Sequence, residues 1–492
     1  MDAQTAAINA KPLSHKETRL IVWGVLLPLF MGSIDNTILA SALPTIGLDL
    51  GEVQGLPWLI TIYLLAATAA MPLYGKIADI RGRRFALYVA IAGYMAGSLV
   101  CALAPSMLVL ILGRALQGLG GAGLSSVAVT VLGDAAAPKD RGPYYAWFSI
   151  VYTTAGAIGP ALGGSIADHL HWSVIFWLNI PLGLMALWIT STVLRRLPRH
   201  ERPHRLDVIG AISIVTASVA FMLGLNLGGR SYPWHSLPIV LLFTVALIVG
   251  SGFVWRLLTA PEPLIPIAIL LDPIVRWAVI ANSFGWASIV GLNIFLPMYL
   301  QSVMGLSPTN SGLSLMVLMM SLNATAGLAG QVLGRVQHYK ILPMCTLVIA
   351  IAAVTMLALW ADSLTIVWFE ILVFLVGVGF GPVPSLCAVS MQNRVAQHQL
   401  GIAIGTMSFS RNLFTTMMVA LLGTIVLAAT SAIEPGTAGQ FGGAPPPGAA
   451  EAARAFSRAF FFAAACLAAA FAALVLLEEL PLRTGIAPEA KT

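Results

Sequence analysis

Residues 20–44 read LIVWGVLLPLFMGSIDNTILASALP, twenty-five positions with one ionisable side chain, Asp35. As an α-helix rising about 1.5 Å per residue, this run is about 37 Å long, enough to cross a hydrocarbon core of roughly 30 Å. It is too long for the apolar core of a secretory leader, and no cleavable signal is read.

Working outward from this run, thirteen others of the same kind follow. The first six runs lie at roughly 20–46, 56–76, 85–104, 107–133, 144–167 and 173–194. Two follow at about 207–227 and 237–258, then six at about 274–302, 310–334, 341–360, 364–391, 401–430 and 456–480. The 492 residues carry 26 Lys+Arg and 20 Asp+Glu, are 58% hydrophobic and have mean hydropathy +0.88. A soluble chain of this length would carry roughly 120 charges. Disorder, coiled coil, collagen and nucleic-acid binding are excluded as the main theme. The expected fold is an all-α polytopic membrane protein.

The net charge of +6 does not mark a nucleic-acid partner. Of the 26 basic residues, 21 fall in the even-numbered loops and the termini, 3 in the odd-numbered loops, and Arg114 and Arg411 inside runs. By the positive-inside rule both termini are cytoplasmic. The expected organisation is a cytoplasmic tail 1–19, a six-helix bundle 20–196, a two-helix insert 207–258, a second six-helix bundle 274–480 and a tail 481–492. The basic segment Arg195–Asp207 is a linker against anionic lipid. The Gly/Pro/Ala-rich segment 431–450 is a floppy outward loop. The chain also echoes itself. Gly118-x-Gly120-Gly121-x-Gly123 in the fourth run resembles Gly377-x-Gly379-x-Gly381-Pro382 in the fourth of the last six, as a duplicated bundle would. The four cysteines lie in apolar runs and are read as free, buried thiols.

Ionisable residues inside a membrane cost at least about 2.5–3.5 kcal/mol each, so Asp35, Arg114, Glu370 and Arg411 stand out. Counting along the helices puts Asp35, Arg114 and Glu370 each about 8–10 Å below one membrane edge, and Arg411 near the midplane. Three charges at one depth predict a shared polar cavity. In it Asp35 pairs with Arg114 and carries protons, while Glu370 meets substrate or cation. Gly75-Lys-Ile-Ala-Asp79-Ile-Arg81-Gly82-Arg83-Arg84 joins runs 2 and 3 and suits a latch. Gly75 permits close helix approach, and Asp79 can pair with a basic neighbour or a helix start. Gly156, Gly159, Gly163 and Gly164 share one face of run 5, with Pro160 among them. That face reads either as tight packing or as a gate hinge.

Together these motifs resemble the fourteen-span drug/proton antiporters of the major facilitator superfamily. The Gly75–Arg84 loop is similar to the superfamily's signature between spans 2 and 3. Arg114 with Gln117-Gly118 resembles the span-4 motif linked to proton coupling, and Gly156–Gly164 the span-5 antiporter motif. Asp35-Asn-Thr37 with Ala42-Leu-Pro44 resembles the span-1 motif. Trp172, Asn179, Pro181 and Gly183 resemble the motif entering span 6, and Tyr299-Leu-Gln301 with Gly305, Pro308 and Gly312 the span 7–8 stretch. Two departures stand out. The second-half counterpart Gly330–Arg335 lacks the acid and the Gly-Arg-Arg. Phe414, Thr415 and Thr416 replace glycines usual after Arg411.

The resemblance implies a major facilitator fold, two six-helix bundles plus a two-helix insert. It implies export of lipophilic, in part cationic, compounds by alternating access in a bacterial inner membrane. The proton gradient supplies energy and no cofactor is expected. Lipid, protons and small lipophilic substrates are the partners, and a periplasmic adaptor is left open. Tyr63, Gln117, Asn293, Tyr299, Glu370 and Arg411 are the candidate substrate contacts. The alternative is export of one metabolite or siderophore. A membrane-embedded enzyme is remote, because the eight histidines lie in loops or at helix ends with no H-E-x-x-H motif.

Overall fold

The computed structural model describes residues 15–51, 56–136, 140–194, 207–229, 232–306, 308–333, 336, 338–430 and 449–482. The terminal tails, the basic linker 195–206 and most of the 431–450 loop lie outside the described residues. Every apolar run becomes a helix. These are α1 (His15–Asp49), α2 (Leu56–Arg81), α3 (Arg83–Ala102), α4 (Met107–Ala135), α5 (Gly142–His169) and α6 (Val174–Val193). Next come α7 (Val208–Leu227), α8 (Leu237–Thr259), α9 (Pro273–Ser302), α10 (Pro308–Leu333) and α11 (Ile341–Leu359). The last three are α12, α13 (Leu400–Thr430) and α14 (Ala449–Leu476). Twelve of these are long and apolar enough to cross a membrane, and α5 and α13, at 28 and 31 residues, have the length.

The run read as one span at 364–391 is two helical pieces, Ile366–Phe380 and Pro382–Arg394, here together α12. Pro382 has no N–H to give the Val378 carbonyl, and Gly381 before it eases the break. Polar caps mark other starts. Asp207 accepts from Gly210 N at 3.0 Å to open α7, and Asp272 from Ile274 N at 3.0 Å to open α9. Of the cysteines, Cys101, Cys387 and Cys466 are buried, whereas Cys345 is exposed on the outer face of α11. An apolar run has a lipid-facing side as well as a core side, and Cys345 falls on the former.

Helices α1–α6 pack among themselves, as do α9–α14. The glycine echo is structural. A Cβ on Gly118 or Gly120 would overlap the backbone of α2 at Tyr63 or of α3 at Tyr94. A Cβ on Gly377 or Gly379 would overlap α10 at Ser321 and Leu318 or α11 at Thr346. The fourth helix of each bundle thus uses equivalent glycines against its second and third helices.

The bundles meet along two seams, α2 against α13 and α5 against α10. Both seams are tight at the end carrying the α2–α3 loop, here called the basic end. Gly75 lies on the Gly401 carbonyl, and Gly142 on the Gly330 carbonyl, closer than any Cβ allows. Toward the opposite end, a Cβ on Gly156 or Gly164 of α5, or on Gly312 of α10, would meet nothing within 4 Å. The α7–α8 hairpin joins from outside. α7 touches both α2 and α13, while α8 packs on α7 and is otherwise almost wholly exposed.

A prediction follows from the glycine contacts. Gly120→Ala forces overlap with the α3 backbone and should destabilise the purified protein by about 1–3 kcal/mol. Gly252→Ala on α8, in open space, should leave the melting temperature unchanged or raise it. Thermal unfolding in detergent checks both.

Candidate functional site

Asp35 and Arg114 meet inside the first bundle. Arg114 Nη1 donates to Asp35 Oδ2 at 2.5 Å and to Gln117 Oε1 at 2.6 Å. Arg114 Nε donates to the Leu59 carbonyl at 3.0 Å, and the guanidinium lies 4.3 Å over the Tyr63 ring. The other carboxylate oxygen, Asp35 Oδ1, accepts from Gln117 Nε2 at 2.9 Å and Asn179 Nδ2 at 3.0 Å. Gln117 Nε2 also reaches Ser98 Oγ at 2.9 Å. Five helices, α1, α2, α3, α4 and α6, therefore converge on one acid. Asp35 is 1% and Arg114 0% exposed. A buried ion pair survives desolvation only when its remaining donors and acceptors are matched, and removing one partner costs about 3–5 kcal/mol. Here all but Arg114 Nη2 are matched.

Glu370 does not join this pair. It sits in the second bundle on α12, on the stripe of Gly377 and Gly381 that packs against α10, with Oε2 buried and unbonded. The shared cavity of three charges expected from equal depth is therefore not formed. Depth along a helix fixes height and leaves direction free. Tyr299 is also enclosed. Its hydroxyl donates to the Ala361 carbonyl at 2.8 Å, and its ring packs on Phe369, Phe456 and Phe460 at 5.5–5.9 Å. It holds the second bundle together rather than facing a substrate. Gln117 and Tyr63 are likewise sealed within the ion-pair network. Asn293 is half-buried on α9. Arg411 is half-buried between the halves, its guanidinium 5.8 Å over the Trp286 ring and its Nε on Asn412 Oδ1 at 3.2 Å.

The basic end is bolted across the first seam. Asp79 accepts from Gly401 N at 3.1 Å and Ile402 N at 2.8 Å, the unpaired amides that open α13. Arg83 Nη1 holds Asp79 at 2.5 Å, Nε holds Asp134 at 2.6 Å and Nη2 reaches the Gln397 carbonyl at 3.1 Å. Arg84 stays within its own bundle, on Tyr88 and the Ser191 carbonyl. A second bolt was missed in the sequence. Arg141 Nη1 donates to Gln392 Oε1 of α12 at 2.7 Å, and Gln392 Nε2 to the Tyr145 hydroxyl at 3.1 Å. Arg141 also closes the end of α4 through the Gly133 and Ala136 carbonyls. Burial pushes its guanidinium down to about 10, leaving it charged at neutral pH. At mid-height Asn412 Nδ2 donates to Thr68 Oγ1 across the seam at 3.1 Å.

On α5, Gly159 lies on Thr37 of α1, whose hydroxyl bonds the Ala155 carbonyl at 3.0 Å. Gly163 is buried, while Gly156 and Gly164 border open space. The helix runs unbroken through residue 160, and the Pro160 side chain lies outside the described residues. His169 and His171, the pair that spacing allows for a metal, bond Ser165 and Ser173 instead, and no metal-binding cluster occurs among the described residues.

Two bundles joined along seams bolted at one end, with an ion pair sealed in one bundle, define a membrane transporter of small molecules. More particularly, the chain belongs to the Major Facilitator Superfamily, whose family model matches residues 25–417. It is 30% identical over 426 residues to Multidrug resistance protein 3 of Bacillus subtilis, covering 86% of this chain and 81% of that one. It is 29% identical over 419 residues to the multidrug transporter protein MdtP of the same organism, covering 85% and 77%. Among solved structures, the human organic anion transporter MFSD10 shares the fold with a TM-score of 0.64 at 15% identity, covering 92% of this chain and 99% of that one.

The bolt gives a second prediction. Asp79→Asn removes the charge that holds two amides and Arg83, bonds worth about 1.5–3 kcal/mol to charged groups. Spin labels on Ile80 and Gln399 should then show a second, longer separation. A single unchanged distance would mean that Asp79 does not hold the seam.

Proposed function

We propose that the chain exports lipophilic small molecules in exchange for protons, by rocking its two bundles about the central cleft. The observation that carries this reading is the sealed Asp35–Arg114 pair, an acid whose only role inside lipid would otherwise be costly. The names of the Bacillus relatives support the multidrug side of it. The basic end faces the cytoplasm of a bacterial inner membrane on the positive-inside rule. On that reading the tight end of both seams faces inward, and the open space at Gly156, Gly164 and Gly312 faces outward.

Arg114 stays charged through any cycle, so in this reading Asp35 is the proton carrier. A proton on Asp35 cancels the charge around which Arg114, Gln117 and Asn179 are arranged. Arg114 retains Gln117 on its own helix and Leu59 and Tyr63 on α2. Protonation thus frees α1 and α6 from α4 and α2. Since α2 carries Asp79 in its last turn, the same event reaches the seam bolt along that helix, past its internal Pro72. Opening of the basic end lets Asp35 discharge inward, and the restored pair resets the seam. A potential of 100 mV supplies about 2.3 kcal/mol per net charge moved.

Closure of the opposite end brings α5 and α10 together. Gly142 and Ala146 of α5 face Gly330 and Gly327 of α10. Antiparallel continuation sets Gly156, Pro160 and Gly164 opposite the stretch that holds Gly312. These glycines leave room for backbone approach in the alternate state.

Two outcomes test the cycle. In proteoliposomes with an imposed pH gradient, Asp35→Asn should lose roughly tenfold or more of proton-driven transport while substrate exchange without a gradient persists. Unchanged coupling would remove Asp35 from the mechanism. Gly312→Leu sits in open space here, so its melting temperature should move by no more than about 2 °C. Its transport should fall roughly tenfold because the added volume blocks closure. Full activity would refute the α5–α10 gate.

A further inference from the structure

We infer that the cleft is built to take amphipathic organic carboxylates, with Arg411 receiving the carboxylate head. This deepens the exporter reading and rests on it. Arg411 lies eleven residues into α13, about 16 Å from its basic end and so near mid-membrane. Of the other hydrogen-bonded arginines of the described residues, all but the exposed Arg454, which reaches only the Ala450 carbonyl, are held by an acid or by two or more groups. Arg83 has Asp79 and Asp134, Arg114 has Asp35, Arg256 has Asp207 and Arg394 has Asp272. Arg141 has Gln392 and two carbonyls, and Arg84 has Tyr88 and the Ser191 carbonyl. Arg411 has one neighbouring amide oxygen through Nε. Among the described residues, no protein group accepts from its Nη atoms.

Its surroundings come from both halves. Trp286 of α9 supplies a ring 5.8 Å from the guanidinium, and Tyr152 of α5 lies within its electrostatic reach and is 45% exposed. Asn412 beside it bonds Thr68 of α2. The membrane acids do not balance this charge. Asp35 is sealed with Arg114, and among the described residues no ion pair joins Glu370 to Arg411. A guanidinium with both Nη groups free offers a carboxylate two parallel charge-assisted bonds. The indole and phenol beside it suit an apolar body. When the cleft closes, water leaves Arg411, and an unpaired charge there becomes costly. A substrate bringing its own anion removes that penalty, whereas a cation adds to it.

The test uses the full chain in lipid nanodiscs and three ligands of one shape, measured by calorimetry against empty nanodiscs. These are 2-naphthylacetate, its neutral amide and 2-(2-naphthyl)ethylamine. The carboxylate should bind at least about tenfold more tightly than the amide, and the amine most weakly. Arg411→Gln should abolish the preference while leaving amide affinity within about twofold, and Arg411→Lys should keep part of it. The wild-type series and Arg411→Lys decide the matter if Arg411→Gln does not fold. Equal binding of carboxylate and amide, tighter binding of the amine, a uniform loss in Arg411→Gln, or no binding of the three would overturn the inference. Ethidium efflux from energised cells reports the exporter reading separately. Efflux without carboxylate preference sinks only the ligand class, and preference without any efflux sinks only export.

Discussion

The Asp35 carboxylate is the point on which the first bundle turns. One acid accepts from Arg114, Gln117 and Asn179, and Arg114 in turn grips the α2 backbone and rides on Tyr63. Lipid is as apolar as these helices, so beyond the close glycine contacts of α4 on α2 and α3 the burial of apolar surface does not choose their neighbours. The polar network supplies that choice. It also ties the packing of five helices to a single carboxylate.

The rest of the molecule transmits that dependence. α2 carries Leu59 and Tyr63 near one end, Thr68 at mid-height and Gly75 and Asp79 at the other. Glycines let it lie directly on α13, so that Asp79 reaches two backbone amides rather than a flexible side chain. A carboxylate on a helix start is held by fixed dipoles and releases when the helix shifts by little more than a bond length. Arg141 and Gln392 repeat the device on the other side of the bundle junction. The α5–α10 seam has the opposite character, closed by bare backbone at one end and open at the other.

Much of this was legible in the chain. Among the described residues twelve helices follow from apolar length, and the glycine echo reported the duplicated packing of α4 and α12. The Asp35–Arg114 pair followed from equal depth and opposite charge. The same reasoning misplaced Glu370, because helices that are apolar on every side carry no mark of which face looks inward. Tyr299 fell to the same ambiguity, its aromatic cluster being assembled from α12 and α14. Asn179 was marked only as part of a motif, and Ser98 and Gln392 were silent as site residues, because a neutral amide or hydroxyl in an apolar run carries no outward sign of what it binds. The break at Gly381–Pro382 could have been read from the proline.

The added hairpin bears on how greasy molecules get in. α7 lies against both α2 and α13, so the crack between the halves on that flank is plugged toward the acyl chains. Among the described residues no helix covers the flank formed by α5 and α10 in that way. On the export reading proposed above, a solute dissolved in the bilayer meets a wall on the first flank, and entry from the lipid phase is one-sided.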